Sequence, residues 1–243
     1  NSRKVKNGSR LFFKDKKLII SIEKKFLVEK ELLLALMGIE TNFGKYLGKM
    51  DIISSLATLS FDKRRSIFFT NELITLLKLI DNNVIDYNLL YGSWAGAYGN
   101  FQFMPSTINK YALDFDNNSS IELTKKADSF ASAANYLSKS GWKRNWTWGR
   151  EVKLSDGFKL ELSGLNITKP LSFWRKIGVR RMDGIDLPDL EAEASIILPA
   201  GYNGPAFLVY ENFKTESKKI NNFLNIQNLD PTSFDLSYSK KNV

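Results

Sequence analysis

Glu40 closes the apolar run Leu32-Leu33-Leu34-Ala35-Leu36-Met37-Gly38-Ile39. Desolvation at such a place disfavours the ionised form, and a carboxylic acid kept protonated can give its proton to a leaving oxygen. On a helix Glu40 follows Leu33 by seven residues, Leu36 by four and Met37 by three, so it shares their stripe. The same spacing suits a solvent-facing Glu at a frayed helix end, and the pattern alone leaves both readings open.

A second constellation runs from Gly92-Ser93-Trp94-Ala95-Gly96-Ala97 through Tyr98-Gly99-Asn100-Phe101-Gln102 to Phe103-Met104-Pro105-Ser106. Its small residues let a backbone or a ligand approach closely. Trp94, Tyr98 and Phe101 supply flat faces on which a sugar ring could stack, and Ser93 and Gln102 offer hydrogen bonds. Taken by itself, the segment equally suits a tightly packed turn.

The rest of the composition narrows the chemistry. The chain has no cysteine and no histidine, which excludes disulfides, thiolate nucleophiles, Ser-His-Asp triads and imidazole metal ligands. Carboxylates, hydroxyls, amides, Lys and Tyr remain. Asp51, Asp62 and Glu72 are the next acids after Glu40, and each reads as part of a solvated face. Thirty-five basic against 26 acidic residues give a net charge of +9, which favours a polyanionic partner. Nucleic acid, anionic lipid and acidic wall polymer all qualify, although no helix-turn-helix, zinc-finger or RNA-recognition signature supports the first.

The elements that must position these groups fall into two regimes. A length of 243 residues suits one globular unit or two associated subdomains. From Lys17 to about Leu137 the pattern is helical. Phe69, Leu73, Leu76, Leu77 and Ile80 form one stripe ending at Asp81-Asn82-Asn83, and Ile52, Leu56 and Leu59 form a shorter one. Pro105 opens a short helix through Tyr111, and Ala127 to Lys139 reads as another helix closed by Gly141. After Gly141, Phe158 to Leu162 alternates with period two, and Ser195–Leu198 and Phe207–Tyr210 are further strand candidates among frequent Gly and Pro. The expected fold is α+β and mainly α. No stretch of about 18 uninterrupted apolar residues appears.

Ordered blocks across the chain resemble the lytic murein transglycosylases of the B type. They are Gly38-Ile39-Glu40-Thr41-Asn42-Phe43-Gly44, Leu56-Ala57-Thr58-Leu59, Gly92 to Ala97, Gln102 to Ser106, Ala134-Asn135-Tyr136-Leu137 and Gly141-Trp142. Trp148 to Val152, Gly178-Val179-Arg180-Arg181 and Leu198-Pro199-Ala200-Gly201-Tyr202 follow in the same order. The resemblance runs from about Gly8 to Phe213.

The resemblance implies a lysozyme-like helical catalytic core over 1–141 and a small β-rich subdomain over 142–210. It leaves 211–243 as a C-terminal segment packing back on the core with a loosely held tail. It implies cleavage of the β-1,4 bond between N-acetylmuramic acid and N-acetylglucosamine, leaving a 1,6-anhydromuramoyl end. Glu40 matches the catalytic residue, acid first and base second, while Ser93, Gln102, Tyr98, Phe101 and Tyr202 are the expected substrate contacts. The alternative is a non-catalytic peptidoglycan-binding or scaffolding protein of the same fold.

Expected partners are peptidoglycan glycan strands and cell-wall assembly proteins, with no nucleic acid and no transmembrane segment. The expected location is the periplasm, with any outer-membrane association made through a segment outside this chain. No cofactor is expected. A calcium loop known in the family is degenerate here: Asp114, Asp116 and Asn118 are in place, but Ser119 replaces the turn glycine and Lys125 the acid at position twelve. The family's C-terminal cleft segment is also altered, with Lys218 to Phe223 following Asn212-Phe213.

Overall fold

The computed structural model describes residues 2–214. The chain divides into two compact units, residues 1–140 and 141–243. In the first, α1 (Ser2–Lys14), α2 (Lys16–Phe26) and α3 (Lys30–Glu40) lead to a two-residue strand β1 (Met50–Asp51). Helices α4 (Ile52–Phe61) and α5 (Ser66–Asp81) follow, then β2 (Tyr91–Gly92), α6 (Pro105–Tyr111) and α7 (Lys126–Lys139). The fold is mainly helical, as the periodicity predicts.

Helix α7 is the axis of this unit. Every residue from Asp128 to Leu137 is buried, and its alanines and serines let α2, α3 and α6 pack against it closely. Helix α6 begins at Pro105, whose missing N–H is no loss in a first turn.

Three features depart from the sequence reading. Helix begins at Ser2, well before Lys17. Only Asn7, Gly8, Leu11 and Phe12 of α1 face inward, even partly, too narrow a stripe to read from periodicity. Helix α5 buries Phe69, Glu72, Leu76 and Leu79, while Leu77 is exposed. Its inward face is set by the Glu72 carboxylate, which accepts from Ser106 N at 2.8 Å and Ser106 Oγ at 2.6 Å. Finally, β1 pairs antiparallel with β2, Met50 opposite Gly92 and Asp51 opposite Tyr91. Two residues are too few to show alternation.

The second unit holds β3 (Gly149–Lys153), β4 (Lys169–Pro170), α8 (Leu171–Lys176), β5 (Arg180–Arg181), β6 (Glu193–Ile197) and β7 (Ala206–Val209). The strands form one antiparallel sheet in the order β4-β6-β7-β3-β5. Ile196 faces Leu208 across β6 and β7, and both join Val152, Leu171, Trp174 and Val179 in the core. Trp174 Nε1 lies 3.0 Å from Ala194 O and 3.2 Å from Lys169 O, which satisfies its buried donor.

The strand expected at Phe158 to Leu162 is a 3-10 turn over Leu160–Leu162. Phe158 is buried in the core while Leu160 is exposed, so the alternation there does not mark a pleat. The expectations for the C-terminal tail and the Lys218 to Phe223 segment lie outside the described residues.

Candidate active site

Helix α3 buries Leu33, Leu36 and Met37 and exposes Ile39. Glu40, in its last turn, is half-buried. No basic residue lies in that turn, so α3 itself brings the carboxylate no counter-charge where the helix dipole is negative.

The chain then adopts three successive left-handed residues, Asn42 (φ 49°), Phe43 (φ 61°) and Gly44 (φ 79°). That conformation costs about 1 kcal/mol or more at a non-glycine residue and persists only where its surroundings impose it. The Phe43 ring supplies one restraint. A Cβ on Gly38 would lie 2.7 Å from Phe43 Cζ, and one on Gly8 3.4 Å from it. The ring occupies a slot that α1 and α3 open by lacking side chains there.

Thr41 supplies a second restraint. It is 1% exposed, and its Oγ1 lies 2.9 Å from Asn100 O and 3.2 Å from Met37 O while accepting from Gly44 N at 3.0 Å. Asn100 is buried too and donates from Nδ2 to Thr124 O and Ser129 Oγ, both at 3.0 Å. The end of α3 is thus tied through the 92–102 loop to α7. Neither Thr41 nor Asn100 stands out in the sequence. The only signal is a polar side chain beside the acid and another in a loop of small residues.

The loop carrying Ser93 lies directly against the turn after Glu40. A Cβ on Gly48 would fall 1.9 Å from Gly92 O and 2.6 Å from Ser93 N, so only glycine permits that approach. Gln102 Nε2 donates to Leu47 O at 3.2 Å and to Gly99 O at 2.9 Å. Glu40, Ser93 and Gln102 therefore sit on segments bonded to one another. Ser93 Oγ accepts from Ala97 N at 3.0 Å and Ala95 N at 3.3 Å, which leaves its proton to donate. With the Gln102 amide hydrogens given to main-chain carbonyls, its Oε1 is the atom it has left to offer.

Tyr98 and Phe101 are corrected. Each is only 2% exposed. Phe101 packs edge-on to Phe130 at 5.3 Å, and burial pushes the Tyr98 phenol up. The main-chain bridge between Tyr98 and Phe103 closes the loop, and both rings lie in the core. The exposed ring in this loop is Trp94, and Tyr46 and Tyr91 add exposed rings on the adjoining segments, neither of them singled out from sequence. Tyr202 belongs to the second unit. It is exposed on a turn where Gly201 N donates to Leu198 O.

The neighbouring acids have other duties, and their solvated-face reading is corrected in part. Asp51 caps α4, accepting from Ser54 N at 2.7 Å, and that amide holds its carboxyl below the usual range. Asp62 is half-exposed, and the hydrogen bonds from Arg64 bring it down to about 2. Glu72 is buried against α6. In the second unit Arg175, Arg180 and Arg181 are ion-paired with Asp189, Asp186 and Asp183. Trp148 packs on Phe207 and Phe213, and Asn212 Nδ2 donates to Lys143 O and Trp146 O.

The loop read as degenerate gains a carboxylate from the fold. Asp114, Asp116 and Asp128 place oxygens within 4.8 Å of one another. Asp128, on α7, also accepts from Phe115 N and Glu122 N, both at 2.8 Å. Lys125 at position twelve is thus not the end of the donor set.

Residues 1–218 match the family model described as the transglycosylase SLT domain. The chain is 36% identical over 169 residues to the membrane-bound lytic murein transglycosylase B of Escherichia coli K12, covering 64% of this chain and 47% of that protein. SltB3 from Pseudomonas aeruginosa, solved with NAG-NAM-pentapeptide, is 36% identical with a TM-score of 0.83, over 94% of this chain and 60% of that one. It has also been solved with NAG-anhNAM-pentapeptide. The E. coli lytic transglycosylase Slt35 in complex with calcium is 29% identical with a TM-score of 0.76, over 90% of this chain and 69% of that one. The chain thus spans about half the length of the curated relative it matches.

Proposed function

The chain belongs to the transglycosylase SLT domain family, with the lysozyme-like fold of the lytic transglycosylases, and from that premise we propose that it cleaves murein with Glu40 as its only acid and base. The carrying observation is that Glu40 ends α3 on a turn held against the Ser93–Gln102 loop, while Asp51, Asp62 and Glu72 each serve elsewhere. A hydrolase of this kind commonly uses a second carboxylate as nucleophile or base. Here one carboxyl group serves twice.

Glu40 gives its proton to the glycosidic oxygen as the bond to the muramoyl C1 breaks. The substrate's own acetamido oxygen stabilises the cation. The Glu40 carboxylate then takes the proton from the muramoyl C6 hydroxyl, whose oxygen attacks C1 and closes the 1,6-anhydro ring. Water is neither consumed nor released. Ser93 Oγ–H and Gln102 Oε1 are the polar contacts proposed to orient the sugar, and of the three rings offered by the sequence for stacking, Trp94, Tyr98 and Phe101, the exposed face of Trp94 takes that role. Tyr202 is kept as a contact proposed from the family resemblance. SltB3's complexes with a muropeptide and its anhydro form support the same substrate and product here.

The substrate places the protein's work in the periplasm, where murein lies, and glycan strands are the partner this reading requires. No helix among the described residues is long and apolar enough to cross a membrane. Asp114, Asp116 and Asp128 suit a hard cation by donor type. Calcium bound by them would brace the 114–128 loop on α7 and take no part in bond cleavage.

Digestion of purified sacculi with mass analysis of the released muropeptides tests the proposal. Products lighter by one water than hydrolytic ones are expected, and a full reducing end would refute it. Glu40→Gln is expected to lower release at least a hundredfold, the lower bound of an acid–base contribution. Sacculus binding without release by the wild type would instead favour the non-catalytic reading.

A further inference from the structure

Positive charge is concentrated at one end of the chain. Residues 1–26 hold nine of its 35 basic and two of its 26 acidic residues, so +7 of the net +9. Both acids are engaged within the first unit: Asp15 pairs with Lys126, and Glu23 lies 3.5 Å from Lys30 Nζ. Arg3, Lys6, Arg10 and Phe13 recur on α1 at i, i+3, i+7 and i+10, so they share one face, and all four are exposed. Phe13 is 71% exposed. The opposite side, through Gly8, meets Phe43. Lys16, Lys17 and Lys24 of α2 add exposed cations.

We propose that this face of α1, with the α2 lysines, docks on the surface of an anionic phospholipid bilayer. The cations meet headgroup phosphates, and Phe13 enters the boundary behind them. A hydrated anionic polymer would be held by the cations alone and gives an exposed Phe nothing to leave water for. A bilayer places an apolar phase directly behind its charges, the arrangement that suits a helix with Lys and Arg around an apolar edge. The inference stands on α1 and α2 and does not depend on the chemistry of Glu40.

The test is sedimentation of the full chain with vesicles of phosphatidylcholine alone and with one third phosphatidylglycerol. Binding is expected only to the anionic vesicles and is expected to fade at about 1 M salt, where charges are screened beyond about 3 Å. At about fivefold per cation, Lys6→Gln with Arg10→Gln should weaken it by about 25-fold. Phe13→Ser should weaken it by about tenfold, as expected for partial burial of an aromatic ring. A variant whose melting differs from wild type is replaced by Lys16→Gln with Lys17→Gln, for which the same 25-fold loss is expected. Equal binding to neutral vesicles, wild-type binding by Phe13→Ser, or losses seen only on sacculi or on a DNA oligonucleotide would overturn the proposal.

Discussion

Replacing Thr41 with valine keeps the shape of a buried side chain and removes one hydroxyl. Met37 O loses little, since Thr41 N and Phe43 N still donate to it at 3.2 and 3.1 Å. Asn100 O and Gly44 N lose the partners described above, at 2.9 and 3.0 Å. A buried polar group left unsatisfied costs about 1–3 kcal/mol. Asn100 is buried and Gly44 half-buried, so Thr41→Val should cost about 2–4 kcal/mol of the roughly 5–15 that hold a domain together. Thr41→Ser keeps the hydroxyl and loses a methyl group, for about 1 kcal/mol.

Urea unfolding followed by tryptophan fluorescence measures the stability arm, and muropeptide release well below the melting temperature measures the catalytic one. Thr41 adjoins Glu40, so a looser turn misplaces the acid. A tenfold fall in kcat corresponds to about 1.4 kcal/mol, and at least that fall is expected for Thr41→Val, with KM changed less and with rescue by Thr41→Ser. A Thr41→Val protein within about 0.5 kcal/mol of wild type would show that the hydroxyl restrains nothing. A destabilised protein with wild-type kcat would separate the turn from the chemistry and refute the positioning role.

Glu72→Ala should cost about 1–2 kcal/mol by removing the charged acceptor that caps Ser106 N and Oγ at the start of α6, and an unchanged urea midpoint would contradict that capping. Burial pushes the Tyr136 phenol up to about 12, above the ordinary 10. Its contribution is therefore full below pH 10 and is lost as pH rises toward 12, at up to about 1.4 kcal/mol per pH unit. Unfolding midpoints that stay level from pH 9 to about 12 would refute the assignment of buried phenol. Asp51→Ala should cost about 1 kcal/mol as a lost N-cap. The contribution of Asp51 is present above about pH 3.9 and is lost as pH falls through its depressed value, which stability at acid pH would reveal in wild type but not in the variant.

The parts of this molecule that could be read from sequence are those fixed by local periodicity or by one residue's covalent geometry. The helix ending at Glu40, the helix opening at Pro105 and the apolar strands β6 and β7 are of this kind. Where the decisive partner is distant, local pattern misleads. Leu77 belongs to the apolar stripe of α5, yet Glu72 is the residue turned inward, because its carboxylate is needed at α6. Asp128 lies beyond the loop that spacing defines, yet the fold brings it to Asp114 and Asp116. Tyr98 and Phe101 sit in a stretch without periodicity, so nothing local decides whether a ring faces the core or the solvent.

Glu40 is legible in the sequence but its confinement is not, because the residues that confine it come from distant segments. Three restraints hold the turn after Glu40: the Phe43 ring between Gly8 and Gly38, Thr41 on Asn100 O, and Gln102 on Leu47 O. Each brings in a partner at least 35 residues from Phe43, Thr41 or Leu47 along the chain. Restraints from separate segments act on different atoms, so relaxing one should lower activity without abolishing it, whereas removing the Glu40 carboxyl should abolish it. Gln102→Ala and Thr41→Val should therefore each leave measurable turnover, and the double variant should lose more than the product of the two single losses, because each tie limits the motion the other would allow. Strict multiplicativity would mean that the ties act independently, and the turn would then not be the rigid element that positions the acid.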